Sequence, residues 1–142
     1  MSRAALVLVC VVASLAGCES APPMPADLRV VAPADSVSPQ ARALAGTWTG
    51  KWNGDFDHVL VIEEISDTSA MLVYSIGASV KEGIQPQYRR VRAAVAGSTL
   101  KFRLGSNDVD YALQGDGTLV GTFVASGGRV SRAYMKRAPA KQ

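Results

Sequence analysis

The chain has 142 residues, of which 48% are hydrophobic and 19% charged, and its formal net charge is +3 at neutral pH. This length allows one domain, and so small an excess of positive charge is not typical of a nucleic-acid-binding protein. We therefore expect no nucleic-acid partner. Both cysteines, Cys10 and Cys18, precede the part of the chain that is predicted to fold as a domain, which excludes a disulfide framework in that domain.

Residues 1–17 have the composition of an export signal. Arg3 supplies a positive charge, and residues 4–14 form an apolar stretch that is too short to span a bilayer as a stable helix. The next four residues, Leu15-Ala16-Gly17-Cys18, resemble the lipobox of bacterial lipoproteins. The resemblance implies cleavage before Cys18, lipidation of its thiol with palmitate-type chains, and attachment to a membrane.

The residue after the cysteine bears on which membrane the protein is attached to. It is Glu19 rather than aspartate, which in the lipoprotein resemblance favours the outer membrane, facing the periplasm, over the inner membrane of the bacterial cell envelope. The alternative interpretation is an ordinary cleavage site in which Cys18 is incidental.

Residues 18–43 are expected to form a tether between the lipidated cysteine and the domain. The stretch Glu19–Ala43 contains five of the seven prolines, which disfavour both helix and sheet and favour an extended or disordered spacer with a reach of roughly 75 Å. Two exceptions are considered. Leu28–Val31 is a candidate strand against the barrel or a segment that binds a partner, and Ser38–Leu44 is a candidate helical turn.

From Gly46 onward apolar and polar residues alternate, which predicts half-buried strands. Regular spacing without a helix-length segment predicts an all-β domain over residues 44–137, an eight-stranded up-and-down antiparallel barrel, with a disordered tail at 138–142. A sandwich or a curled open sheet is the alternative. The predicted strands are Thr47–Asn53, Val59–Ile65, Ala70–Ile76, Tyr88–Val95, Thr99–Leu104, Val109–Gln114, Thr118–Ala125 and Arg129–Lys136.

The start of the first strand, Gly46-Thr47-Trp48, resembles the Gly-x-Trp motif of the calycins, which include lipocalins, fatty-acid-binding proteins and avidins. The resemblance implies that Trp48 closes one end of a barrel and that an arginine of the last strand packs across its ring. Arg132 is the predicted arginine, with Arg129 as the second candidate. The chain is shorter than a lipocalin and lacks the later lipocalin motifs and a biotin site.

The wider pattern around Gly46–Trp52 also resembles small uncharacterised bacterial domains, some of which occur beside α/β-hydrolases. That second resemblance implies no mechanism of its own.

Residues for catalysis or metal binding are few. His58 is the only histidine, and with Asp57 it is a candidate general base or part of a metal site, whereas the alternative is a polar turn that leads into a strand. A metal site needs three or four convergent ligands, and residues 44–142 contain no other histidine and no cysteine. We therefore predict no catalytic residue, no metal and no cofactor.

The best candidates for recognition lie together in sequence. Gly77–Gln87 is the longest internal loop, and loops at one rim of a barrel often carry binding. Four residues follow it on the next strand and are predicted as a tentative ligand-binding rim: Tyr88, Arg89, Arg90 and Arg92. Arg90 and Arg92 share a face with Tyr88, whereas Arg89 shares a face with Val91. A solvated outer face and a flexible connector are the alternatives.

These features together predict a non-enzymatic binding or interaction module, held at a membrane by a lipid anchor. Its partner is expected to be a small apolar ligand in the barrel or an envelope protein at the rim. The alternatives are a periplasmic inhibitor of a protease-type enzyme, with Leu28–Leu44 as its inhibitory segment, and an accessory domain of an envelope hydrolase. The presence or absence of an interior cavity bears on this choice.

Overall fold

The structure is a computed structural model that describes residues 21–139. One short helix, α1 (Pro39–Arg42), precedes the strands of the barrel, and the predicted strands are confirmed with small shifts at their ends. The strands are β1 (Gly46–Trp52), β2 (Phe56–Ile65), β3 (Ser69–Ile76), β4 (Gln87–Ala96), β5 (Thr99–Leu104), β6 (Asn107–Leu113), β7 (Leu119–Val124) and β8 (Val130–Arg137).

The eight strands form a closed barrel in which each strand pairs antiparallel with its neighbour in sequence. The barrel closes where β1 pairs with β8, with Trp48 opposite Arg137 and Trp52 opposite Ala133. The prediction of an up-and-down barrel is therefore confirmed, and the sandwich and the open sheet are excluded. Every strand has two partners, but β4 and β5 pair over only three residues of each strand, Ala94–Ala96 with Thr99–Lys101.

The barrel interior holds the core, as the alternating pattern predicts. The largest fully buried side chains include Trp48, Trp52 and Tyr111, with leucines from β2, β3, β5 and β7 around them. Gly121 makes room for these rings, since a Cβ atom at that position would lie 2.7 Å from Cε1 of Tyr111. A small barrel of this kind is filled by side chains over much of its length.

One end of the barrel is sealed, and we call it the closed end; it carries α1 and the turns 66–68, 97–98 and 114–118. Ser38 caps α1, whose Ala41 is fully buried together with Leu44. The indole N–H of Trp48 donates to the carbonyl of Leu44 at 2.9 Å, which fixes the ring across the barrel axis. The short helix lies where a helical turn is predicted, and Trp48 is buried beside Leu44, with Gly46 at the start of β1.

The arginine that covers Trp48 is Arg137, and the prediction of Arg132 is wrong. The guanidinium carbon of Arg137 lies 4.4 Å from the centre of the Trp48 ring, a distance suited to a cation–π interaction. Arg137 also donates hydrogen bonds to the carbonyls of Ala43, at 2.6 Å, and Ala45. It thus joins the last strand to the linker that enters the first.

The alternation of β8 explains this correction. Ala133 and Met135 are fully buried and point into the barrel, so Arg137 shares their face, whereas Arg132 faces outward and is exposed. Arg132 bonds only weakly to Thr122, at 3.4 Å. The second candidate, Arg129, precedes β8 at the opposite end of the barrel and pairs with Glu82.

Residues 21–37 lie along the outside of β2, β3 and β4, and we call them the N-terminal strap. The segment forms no strand, as its prolines predict, and contains turns at residues 26–27 and 35–36, but the barrel holds it. The amide of Val31 donates to the carbonyl of Glu63 at 2.8 Å. Val61 and Val73 pair on the outer face of the sheet and are nonetheless buried, which the strap accounts for. Leu28–Val31 thus lies against the barrel, without strand pairing.

Arg90 is the main polar link between strap and barrel. It donates to the carboxylate of Glu63 through two nitrogens, at 2.8 and 3.0 Å, and pairs with Asp27 of the strap at 3.1 Å. The backbone amide of Arg29 adds a third donor to Glu63 at 3.2 Å. Because Arg90 hydrogen-bonds to it, the pKa of the Glu63 carboxyl lies below its usual value although the side chain is buried.

Several predictions concern residues outside the described range. The signal segment 1–17 and the lipidation site Cys18 are among them, and so are the last three residues of the predicted tail. Within the tail, the amide of Ala138 still donates to the carbonyl of Thr47 at 2.8 Å, which extends the seam of β1 and β8. Between Ala21 and Pro139 there is no helix that is long and apolar enough to span a membrane.

The closed end generates a first prediction. Arg137→Ala removes the cation over Trp48 and the donors to Ala43 and Ala45, so the free energy of unfolding should fall by about 2 kcal/mol in urea titrations. Arg132→Ala is the matched control on the same strand and should change it by less than about 0.5 kcal/mol. An equal loss in the two variants would contradict the assignment of Arg137.

The strap generates a second prediction. Arg90→Met leaves the buried carboxylate of Glu63 without its guanidinium, so the free energy of unfolding should fall. The strap should also become cleavable by protease, which mass spectrometry of the fragments detects. Arg92→Met, on the same face of β4 and exposed, should leave both properties unchanged. Resistance of the strap to protease in Arg90→Met would show that other contacts hold it.

Candidate functional site

The end of the barrel opposite Trp48, which we call the open end, contains a cavity of about 370 Å³. Its buried floor includes Trp52 and Tyr74, which are 1% and 5% exposed. Apolar side chains dominate the wall, and polar groups join them from the surrounding loops. The remaining residues that line the cavity are Asn53, Phe56, Ile76, Glu82, Ile84, Gln87, Arg89, Leu104, Gly105, Asn107, Phe123, Arg129 and Ser131.

The loop 77–86 between β3 and β4 folds over one side of this cavity. Ser79 and Ile84 form an isolated β-bridge, which turns the loop back on itself and places Ile84 against the core. The hydroxyl of Ser79 donates to Asp55 at 2.6 Å, and Glu82 pairs with Arg129 at 2.9 Å. The loop is therefore tied to the β1–β2 loop beside it and to the β7–β8 loop across the open end, which a free connector would not be.

The predicted rim of four residues is split by the pleat of β4. Arg89 shares a face with Val91, as predicted, and this is the face that lines the cavity. Tyr88, Arg90 and Arg92 lie on the outer face, where Arg90 is engaged by the strap. Only Arg89 of the four is placed to meet a ligand in the barrel, and the alternation alone was sufficient to separate it from the others.

Arg89 differs from the other cation at the cavity. Arg129 is paired with Glu82, whereas the guanidinium of Arg89 has no hydrogen bond or ion pair within residues 21–139. The charged groups that line the cavity are thus two guanidiniums and one carboxylate. This balance leaves one uncompensated positive charge, which favours an acidic group on a ligand.

Beneath the cavity lies a buried aromatic cluster around His58. The imidazole stacks on Trp52 with the ring centres 5.3 Å apart, and Tyr74 and Tyr111 contact it from other sides. Nδ1 of His58 lies 2.8 Å from the carbonyl oxygen of Ser75, and Nε2 lies 2.6 Å from the hydroxyl of Tyr111. A carbonyl only accepts, so Nδ1 carries the proton and Nε2 accepts from Tyr111.

Burial sets the protonation states of this cluster. Desolvation lowers the pKa of His58 from 6.5 to about 4, so the imidazole is neutral at physiological pH. The same cause raises the pKa of Tyr111 well above its usual value, which keeps its hydroxyl a donor. Neutral histidine and protonated tyrosine are the forms that this hydrogen-bond chain requires.

Trp52 and Tyr74 are less fully hydrogen-bonded than His58 and Tyr111. The indole nitrogen of Trp52 is buried and makes no hydrogen bond within the described chain. Burial raises the pKa of Tyr74, and the proximity of Trp52 opposes that shift only in part. The floor of the cavity is therefore neutral and aromatic.

Neither interpretation of His58 from the sequence describes its position. It lies within β2 rather than in a polar turn, and both ring nitrogens are engaged in the core. Asp57 lies on the opposite face of the strand and pairs with Lys51 at 3.0 Å, so it makes no hydrogen bond to the imidazole. No group of three potential metal ligands occurs in the part of the chain that the structure describes.

Comparison with known proteins adds no assignment. No protein-family model matches the chain, and a search of curated proteins found no significant match. The interpretation of the site therefore rests on its own geometry.

The His58 cluster generates a third prediction. The only imidazole of the chain should show no titration in NMR spectra above about pH 5, because its pKa is lowered to about 4. Its nitrogen shifts should identify the tautomer protonated at Nδ1. A midpoint near 6.5, the ordinary value, would contradict the buried position.

The same shift makes stability depend on pH. Between about pH 4 and 6.5 the unfolded chain binds more protons at His58 than the folded chain. The contribution of neutral His58 to the free energy of unfolding is therefore complete above pH 6.5, and it is lost as the pH falls toward 4. Lowering the pH from 7 to 5 should cost about 2 kcal/mol in urea titrations, and His58→Gln should remove this dependence. Glu63, whose ordinary pKa of 4.5 is lowered in the fold, affects the pH dependence of stability mainly below this window.

Proposed function

We propose that this protein is a lipid-anchored, non-enzymatic binding module of the bacterial envelope, whose barrel takes a small and largely apolar molecule through its open end. The observation that carries the binding proposal is the cavity of about 370 Å³ above the aromatic floor. Its volume lies at the lower end of the roughly 300–1,000 Å³ that is usual for small-molecule sites. A single ring system or a short alkyl chain is the size of ligand that it suits.

The chemistry of the wall supports a ligand with one acidic group. Phe56, Ile76 and Phe123 offer apolar contact inside, and Arg89 stands at the mouth without a partner among the described residues. A carboxylate or phosphate at the mouth would meet this guanidinium, whereas the apolar part of the ligand would displace water from the rings. A short amphipathic acid fits this arrangement.

A binding role is also supported by what the core histidine does. His58 is the residue best suited to acid–base chemistry, and its two nitrogens hold Ser75 and Tyr111 in the core. Its lowered pKa keeps it neutral and its burial keeps it from the cavity. We therefore interpret the cluster as a rigid floor.

The anchor is proposed from the sequence. Leu15-Ala16-Gly17-Cys18 supports lipidation of Cys18, and Glu19 supports the outer membrane as the site of attachment, with the barrel in the periplasm. A single acyl chain binds a membrane only marginally, so stable attachment would need the additional chains of a bacterial lipoprotein.

The two tryptophans provide a test of binding in the unaltered mature chain. Decanoate should shift the NMR signal of the indole N–H of Trp52, which lines the cavity. The indole N–H signal of Trp48, which is hydrogen-bonded to Leu44 at the closed end, should stay unchanged. The shift should saturate with ligand. Equal effects on the two signals, or no saturable effect, would contradict binding in the cavity.

Arg89 and Arg92 provide a matched pair for the acidic group. Arg89→Met should weaken binding of decanoate by about tenfold and leave decanol unchanged, because a charged hydrogen bond contributes roughly 1.5–3 kcal/mol. Arg92→Met, on the outer face, should change neither. If native mass spectrometry instead found a stoichiometric envelope protein and no small molecule, the inhibitor or the hydrolase-accessory function would replace this proposal.

A further inference from the structure

We propose that the open end of the barrel docks on the anionic lipid surface to which the chain is anchored, so that the cavity takes its ligand directly from the bilayer. The occupant of this surface is the lipid headgroup layer. The inference rests on the proposed anchor at Cys18 and deepens the proposed function, since it names the source of the ligand. It follows from the direction of the strap, the length of chain before it, and the distribution of apolar and charged residues.

The strap begins at the open end. The hydroxyl of Ser75 donates to the carbonyl of Pro23 at 2.5 Å. Ser75 is the last but one residue of β3, and the same hydroxyl lies 3.4 Å from the carbonyl of Gln87, the first residue of β4. Both positions adjoin the loop 77–86, so the first residues of the strap lie beside the mouth of the cavity.

From there the strap descends toward the closed end. Asp27 pairs with Arg90, Val31 then meets Glu63, and the amide of Ser38 finally donates to Asp67 at 2.9 Å. Asp67 belongs to a closed-end turn, and α1 follows directly. Because these contacts hold the strap along its length, the 25 residues between Cys18 and Leu44 do not act as one long spacer.

The free length of chain is therefore short. Five peptide units separate Cys18 from Pro23, and fully extended they span at most about 17 Å. A strand of the length of β3 is about 27 Å long. With the strap in place, an acylated Cys18 would hold the open end close to the membrane surface and the closed end farther from it.

Exposed apolar side chains favour the same end. Val80 at the tip of the loop 77–86 is 98% exposed, and Tyr88 and Val130 are also exposed where β4 and β8 begin. The other exposed large apolar residues lie on the strap or midway along β8, and none lies on a closed-end turn within the described chain. Valine and tyrosine at this level would enter the headgroup layer favourably.

The open end also carries positive charge that no carboxylate of the described chain pairs with. Lys81 and Arg89 lie at the open end with no ion-pair partner among residues 21–139, whereas the carboxylates there are engaged, Asp55 by Ser79 and Glu82 by Arg129. The closed-end turns carry Asp67 and Asp116, and α1 and the end of β8 add Arg42, Lys136 and Arg137 at the same end. An anionic lipid surface attracts lysine and arginine side chains that lie near it.

The test uses the full chain, exported and acylated by a bacterial host and then reconstituted in vesicles of phosphatidylethanolamine and phosphatidylglycerol. Once Cys18 is acylated and residues 1–17 are removed, no other thiol remains. Val80→Cys places a fluorophore at the open end, and Ala96→Cys places it at the exposed end of β4 beside the closed-end turns. Nitroxide-labelled headgroups should quench the first at least about threefold more than the second.

A strap variant checks the cause of this orientation. Asp27→Asn combined with Ser75→Ala removes two of the contacts that hold the upper strap, and should reduce the difference in quenching between the two fluorophores. In vesicles of phosphatidylcholine alone the difference should also fall, because the anionic attraction is lost. An unchanged difference in both experiments would contradict the roles assigned to the strap and to the charges.

The outcomes separate this inference from the function on which it rests. Equal quenching at the two positions, or stronger quenching at Ala96→Cys, on protein whose Cys18 is acylated would overturn the docking and leave the anchor intact. An unmodified Cys18 in the mass of the N-terminal peptide would overturn both. Binding of decanoate to the cavity is measured separately and depends on neither.

Discussion

The contact of Arg137 with Trp48 is the interaction on which the sealed end of the barrel depends. The guanidinium covers the indole, and its donors engage the carbonyls of Ala43 and Ala45, so one side chain connects the last strand, the plug and the linker from α1. A barrel of eight strands needs only a few large side chains to fill it. Trp48 and its cover seal one end, and the cavity of the open end lies above Trp52.

A second layer on the outside of the barrel follows from the strap. Val61 and Val73 would face water on an ordinary outer surface, yet both are buried. Glu63 is buried with them and keeps its charge because Arg90 and the amide of Arg29 satisfy it. The strap therefore belongs to the folded unit, and it relates the membrane end of the chain to the mouth of the cavity.

The parts of this structure that alternation controls could be predicted from the sequence. The eight strands and the face of Arg89 follow from a period of two residues, and the number and spacing of the strands favour a closed barrel over a sandwich or an open sheet. The same rule, applied to Ala133 and Met135, favours Arg137 over Arg132. The strand predicted from the sequence ends at Lys136, one residue before Arg137, which is the last residue of β8.

Other features depend on contacts that no local pattern encodes. The polar sequence before His58 is typical of a turn, but the partners of the imidazole, Ser75 and Tyr111, are 17 and 53 residues away. The strap is similar, because its prolines indicate only that it is extended. Its position requires Arg90 and Glu63, which are distant from Asp27 in sequence and meet it only in the folded barrel.

The seam between β1 and β8 sets an order for folding. Every other strand pair joins neighbours in sequence, whereas the bond from Arg137 to Ala45 spans 92 residues. The entropy of closing so long a loop disfavours early formation of this pair, so the hairpins should assemble first as an open, curved sheet. Trp48 lies on the seam, and its ring becomes covered only when the ends of the sheet meet. Its fluorescence would then follow the last step of folding, while that of Trp52 would also register the earlier collapse of the core.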